Sequence, residues 1–392
     1  MIRMKRNEMM QQCAQTQCPA ADQRRSSRPK LSATVVAVMT TAALVLSPFA
    51  VTGQALAAPA AATKPQAALA PFVNPKFQNY KQVEYAIKHN LVQPLNTVVT
   101  KDGYKLTMNG FIADKYELII LFTAQADSNR AFTSQGSIAH ELQLTDVITG
   151  KVISGKKMND AGVYGVSPAK QNNIMYGTAV IRLTTPLTTA PQKVAAEFQL
   201  TSLTTSELKQ VEALEAQMMA EAKKAYQANP EEKASKTSPE LLKKYNALKA
   251  KVKKSPPLKA VFVIDPKVWE QESLTLTPEE TVDMAGHPIK VNMELTPFTT
   301  ITTLTSDEAV FTDKAFKEKF NNNYYPSLLI MSGNGEYKPQ EGSTYYTYSD
   351  HKLTIISESY FLLDKPQSLR LDFTNMKDRK ITQQLIIDLS KQ

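Results

Sequence analysis

Few side chains in this sequence stand where chemistry would need them. The four histidines are His89, His140, His287 and His351. No two share an H-x-x-x-H spacing and none lies beside a cysteine, so no metal site is spelled out. His140 falls on the apolar parity of Ile138 and Leu142, and reads as a core histidine bonded to a backbone carbonyl rather than a ligand or base. Gly165-Val166-Ser167-Pro168-Ala169 lacks the second glycine of a nucleophile elbow. Two Ser-x-x-Lys matches, Ser154 to Lys157 and Ser167 to Lys170, have neither an S-D-N nor a K-T-G partner. Glu279-Glu280 and Asp307-Glu308 are carboxylate pairs in polar, turn-like stretches, where solvated charge is the default. The 13 glycines are too sparse for a phosphate loop, and no acidic run matches a calcium-binding loop. No catalytic, cofactor-binding or metal-ligating residue is assigned and no cofactor is expected. The chain reads as non-enzymatic, with a secreted hydrolase using Ser167 or His140 as the weakest alternative.

Two features suit binding as well as packing. Tyr324-Tyr325 and Tyr345-Tyr346-x-Tyr348 bring polar-tipped rings close together in sequence, which fits a recognition face or a strand framework. An apolar stripe through residues 204–255 could dock a partner helix, but it is also what two helices bury against each other.

The setting for these residues is fixed near the start. Leu31 to Val51 is an uncharged run of 21 residues after Arg24, Arg25, Arg28 and Lys30. Ala55 and Ala57 follow as an Ala-x-Ala site. A basic flank, an apolar run and small residues describe an export signal cleaved before Ala58, while the length also allows a retained single-pass membrane anchor. Ser26 and Ser27 after the arginine pair do not fit a twin-arginine signal. Either way, residues beyond 57 are expected to be extracytoplasmic, secreted or held at the cell surface.

The formal charge of +9 comes from 46 basic and 37 acidic residues, of which 7 and 2 lie in residues 1–57. The remaining 39 and 35 leave only +4, too little for a nucleic-acid footprint. Both cysteines, Cys13 and Cys18, sit in the leader without a nearby histidine, and read as incidental. Everything after them must be held by its core alone.

The elements that would position the side chains are mostly strands. Residues 58–71, rich in Ala and Pro, read as a linker too poor in large apolar groups to pack. Tyr80, Val83, Ile87 and Leu91 suggest a short helix. Asp102-Gly103 between two polar-apolar runs is a hairpin turn. Tyr116 to Thr123 is apolar on both parities, as in a strand covered on both faces. Val194 to Leu200 and Lys259 to Asp265 read as neighbours in one sheet. Between them Thr204-x-x-Glu207 and Ser238-Pro239 each open a helix, making an αα-hairpin. Strict alternation at Ile289 to Leu295 and Leu369 to Phe373 continues the β pattern to the end. The fold class expected is all-β: two tandem immunoglobulin-like antiparallel sandwiches, residues 72–267 with the hairpin at about 204–255, and residues 268–392.

Residues 97–107 (TVVTKDGYKLT) with 113–118 (ADKYEL) resemble the opening of the domain of unknown function 4179. Residues 282–297 (VDMAGHPIKVNMELTP), with Leu369 to Phe373, are similar to its companion, domain of unknown function 5643. The resemblance covers most of residues 72–392. It implies a Gram-positive bacterial envelope protein, anchored by one membrane segment, with some relatives linked to extracytoplasmic-function sigma factors. The leader here is short for a sigma-binding domain and lacks an H-x-x-x-C-x-x-C zinc pattern, and the hairpin departs from the family pattern. The function expected is a binding or sensing module of the cell envelope. Its partner would be an envelope protein or cell-wall polymer, and residues 31–51 would contact the membrane if retained. A single-pass regulator linked to such a sigma factor is the alternative.

Overall fold

The computed structural model describes residues 68–77, 79–132, 140–154, 161–168, 171–183, 185–187, 189–228, 238–331, 335–339, 342 and 344–389. The export segment with Cys13 and Cys18 lies outside them, as do Ile138, Lys156, Lys157, Ala169, Lys170, Asn229-Pro230 and Gly333-Asn334. All the described residues belong to one compact unit.

The molecule is mostly antiparallel β-sheet with four helices among the described residues. Asp102 and Gly103 take positive φ angles of 47° and 78°, the left-handed pair that a two-residue hairpin turn requires. They join Val98–Lys101 to Tyr104–Ala113 in register Lys101 to Tyr104. Tyr104–Ala113 pairs with Glu117–Gln125, which pairs with Ile174–Arg182 at the centre of a six-stranded sheet. One face of that sheet packs on a four-stranded sheet that includes Glu141–Asp146, Lys193–Gln199 and Leu258–Val263. Phe122 and Phe198 meet across this core at 4.8 Å, and Phe111 and Phe262 at 5.6 Å. Its other face carries Ile119, Leu121 and Val180 into a second cluster, under the helix Tyr80–Lys88 (α1). Burial on both sides explains why the central strand is apolar at both parities.

Lys193–Gln199 and Leu258–Val263 are paired, Val194 opposite Phe262, so the chain between them leaves and rejoins the same neighbourhood. The helices there are Thr205–Ala228 (α2) and Pro239–Lys249 (α3). Both start where local chemistry dictates. Thr204 N–H donates to Glu207 Oε2 at 3.1 Å, while Glu207 N–H reaches Thr204 Oγ1 at 3.3 Å. Ser238 caps α3 through Leu241 N–H. Leu208, Val211, Tyr245 and Leu248 bury against Leu203 and Ala131, so the base of the hairpin satisfies its own stripe.

From residue 274 onward a six-stranded and a four-stranded sheet share another core. Val291, Met293, Leu304, Leu353 and Ile355 face Leu369, Leu371, Phe373, Leu385 and Ile387 across it.

Two expectations need correction. The all-β reading missed a helix at Lys314–Asn323 (α4), which Asp313 caps by accepting Phe316 N–H at 2.8 Å. Phe316 and Phe320, one turn apart, anchor it in the core. The linker also ends earlier than expected: Leu69 is buried, and Ala70–Phe72 forms a 3-10 turn that seats Phe72 beside Val83 and Ile112. Two large apolar side chains suffice to fold the last few linker residues onto the sheet. Among the described residues no helix is long and apolar enough to cross a membrane.

Candidate functional site

The residues singled out by type do not converge. His140 is buried, and its Nδ1 accepts the Thr201 N–H at 2.9 Å, with the ring edge-on to Phe132. It is a core histidine as expected, with Nδ1 taken up by a backbone amide. His89 faces Asp364 at 3.0 Å, His287 faces Glu308 at 2.7 Å, and His351 Nδ1 sits 3.3 Å from the Ser306 carbonyl. Among the described residues no three His, Cys, Asp or Glu side chains group as metal ligands. Ser167 follows the strand Ala161–Val166, and among the described residues its buried hydroxyl has no hydrogen-bond partner. Ser154 is fully buried at a strand end.

The tyrosines are tied into packing. Tyr324 accepts Ala285 N–H at 2.9 Å, and Tyr346 and Tyr348 lie against the second core, Tyr348 beneath the Lys317 ammonium. Burial drives the Tyr346 and Tyr348 phenols upward from their ordinary range. Tyr345 turns the other way, and it leads to a concentration of perturbed charge.

That site is built from the turn at Asp114. Asp114 Oδ1 accepts the N–H groups of Tyr116 at 2.8 Å and Glu117 at 2.7 Å, closing the corner between two strands. Its Oδ2 reaches a distant part of the chain, accepting Phe298 N–H at 3.1 Å and the Thr296 hydroxyl. The Thr296 hydroxyl in turn accepts Thr299 N–H at 3.0 Å, closing the facing corner. One carboxylate therefore fixes two turns that lie about 180 residues apart in sequence.

Beside it, Glu117 and Arg182 are direct cross-strand partners, Oε2 to Nε at 3.3 Å. The Arg182 guanidinium also binds Glu358 and donates to Tyr345 Oη at 2.9 Å, while lying 5.3 Å from the centre of the Tyr345 ring. Lys115 pairs with Glu294, and Tyr116 donates to the same carboxylate at 2.7 Å. The Tyr116 ring packs on Ile301 and Ile356. On the α1 side, Tyr85 Oη accepts Leu363 N–H at 2.6 Å, its ring meets Phe298 edge-on, and Lys88 reaches Asp364 at 2.5 Å.

Enclosure sets the protonation states. Arg182, Glu117 and Glu358 are only 13, 3 and 4 % exposed at their side chains, so one guanidinium stands between two buried carboxylates. Burial pushes Glu117 up to about 7, against the pull of Arg182 and with a smaller push from Asp114. Burial also raises Asp114, against its four donors. Burial opposes the Arg182 charge, but Glu117, Tyr345 and Tyr164 more than compensate and hold it protonated. Such an arrangement joins one part of the chain to another. Sequence reading passed over it because its members are single charges at strand ends. The available signal was a charge abutting an apolar run, as in Glu117 before LIILFT and Arg182 after TAVI.

No protein-family model matches the chain. No curated protein matches it either. Among solved structures it is similar to "the crystal structure of the conserved domain protein from Bacillus anthracis", at 12% identity and a TM-score of 0.39, over 76% of this chain and 92% of that one. That likeness is too loose to carry over a fold or a function.

Proposed function

We propose that this chain is a non-enzymatic binding or sensing module working outside the cytoplasm, at the bacterial cell envelope. In this reading its β mass forms two immunoglobulin-like sandwiches in tandem, like domains 4179 and 5643, with the helical hairpin added to the first. The observation that carries it is the enclosure of the charged side chains around the Asp114 turn. Asp114, Glu117, Arg182 and Glu358 lie between sheets, with no more than 13 % of any of the ion-paired side chains open to solvent. A catalytic site needs such groups at a cleft. Here they bind one part of the chain to another, which suits a scaffold that presents its faces and edges to a partner. The leader, with its basic flank and apolar run, supplies the compartment.

The partner class is an envelope protein or cell-wall polymer; a charge of +4 beyond the leader gives nucleic acid little purchase. The 21-residue length of the apolar run favours a second reading, a single-pass regulator, and requires residues 31–51 to be retained. Affinity capture of the native protein from envelope fractions, with mass measurement of its N-terminus, tests both. Co-purification of a specific envelope component is expected, and an N-terminus at Ala58 excludes the anchored regulator. Capture of no envelope component, or ester or glycan hydrolysis lost in Ser167→Ala or His140→Ala, would overturn the binding reading.

A further inference from the structure

The strand Ile381–Asp388 ends its sheet, pairing with Ser368–Thr374 and, among the described residues, with no other strand. Sheets usually protect such an edge with a short strand, a proline, a charge along it or a covering loop. The opposite edge of this same sheet follows that rule, since Tyr337–Pro339 is three residues long and ends in proline. Ile381–Asp388 is eight residues long and carries no proline and no charge before its final aspartate. Ile381 and Ile386 are 50 and 56 % exposed on it. Residues 276–280 line a notch of about 270 Å³ beside Leu385–Asp388, while at the other end of the strand the Thr382 hydroxyl donates to the Asn323 carbonyl at 2.8 Å.

The two ends of the edge differ in sign. Lys377, Arg379 and Lys380 precede the strand, with Asp378 the single acid among them. Asp388 closes it, and Glu279 and Glu280 line the notch at that end, against one base, Lys391, three positions further along the sequence. A strand basic at one end and acidic at the other is complementary to its own antiparallel copy. A parallel copy would set like charges side by side.

We propose that this edge is a self-recognition surface. Two copies of the chain pair antiparallel along Ile381–Asp388 about a two-fold axis near Gln384, merging two four-stranded sheets into one. The basic end of each copy then lies against Asp388, Glu279 and Glu280 of the other, and Ile386 of each copy is covered near the axis. The carboxylate pair at 279–280, with no role in the buried junction, thereby gains one as the acidic half of the contact.

Sedimentation velocity of the full chain in mild detergent, over a concentration series, reads the association. A reversible dimer is expected. Lys380→Glu and Asp388→Lys should each weaken it about tenfold, and the double variant should recover most of the loss, because its ends have exchanged sign. Hydrogen exchange at residues 381–388 should slow as concentration rises. A monomer at every concentration overturns the proposal, and so does a dimer indifferent to both single reversals. Protection of the strand without self-association also overturns it, since another segment of the chain would then cover the edge.

Discussion

Glu117 is held in an environment far from that of an exposed carboxylate. In an extended chain it is an ordinary carboxylate of pKa 4.5; in the fold it shares one guanidinium with Glu358 and titrates at about 7. Its folded pKa is the raised one. Its contribution to stability is therefore fully present below pH 4.5 and is lost as pH climbs through about 7. Glu117→Gln removes that titration while keeping the shape. Relative to wild type, the variant should gain about 3 kcal/mol between mildly acidic and mildly alkaline pH, read by denaturant titration at each pH. A difference that stays flat with pH would place Glu117 in water. Asp114 works through hydrogen bonds to two turns at once. Asp114→Ala strands the N–H groups of Tyr116, Glu117 and Phe298 inside the protein, and should cost about 3 kcal/mol or more. Neither residue was singled out from the sequence, although Asp114 stands where two strand patterns meet and Glu117 abuts an apolar run. Their partners at 296–298 and 358 were not legible, because no local pattern links positions that far apart.

At the scale of elements, legibility followed locality. The Asp102-Gly103 turn, the capping box at Thr204 and Glu207, and the serine cap of α3 each depend on residues within a few positions of one another, and each folds as the sequence suggests. Helix α4 was hidden because its ten residues offer only two buried anchors, Phe316 and Phe320, among lysines and asparagines. The two tyrosine groups were ambiguous for a related reason: the alternation that suits a binding face also suits a strand over a core, and the core claimed Tyr346 and Tyr348. The capping box makes a local test. Thr204→Ala removes the single hydroxyl that both accepts Glu207 N–H and donates to the Glu207 carboxylate. It should destabilise the hairpin by about 1 kcal/mol. Faster hydrogen exchange confined to the first turns of α2, with exchange at the Asp114 turn unchanged, would show that the hairpin opens independently.

For the molecule as a whole, the buried ionic junction decides whether the sheets before residue 270 and those after it behave as one body. Apolar contacts alone would hold them weakly: Phe298 in one cluster, and Tyr116 with Ile301 and Ile356 in another. Asp114, Glu117 and Arg182 add directional bonds that exist only in one arrangement, so the joint should be rigid. Scanning calorimetry of wild type and Arg182→Ala tests this most directly. Removing the guanidinium leaves Glu117 and Glu358 buried together, a loss of about 3–5 kcal/mol at the joint. Wild type should unfold in a single cooperative transition, and Arg182→Ala in two separated ones at neutral pH. Two transitions already present in wild type, or a variant that still melts as one unit at the same temperature, would contradict a structural junction.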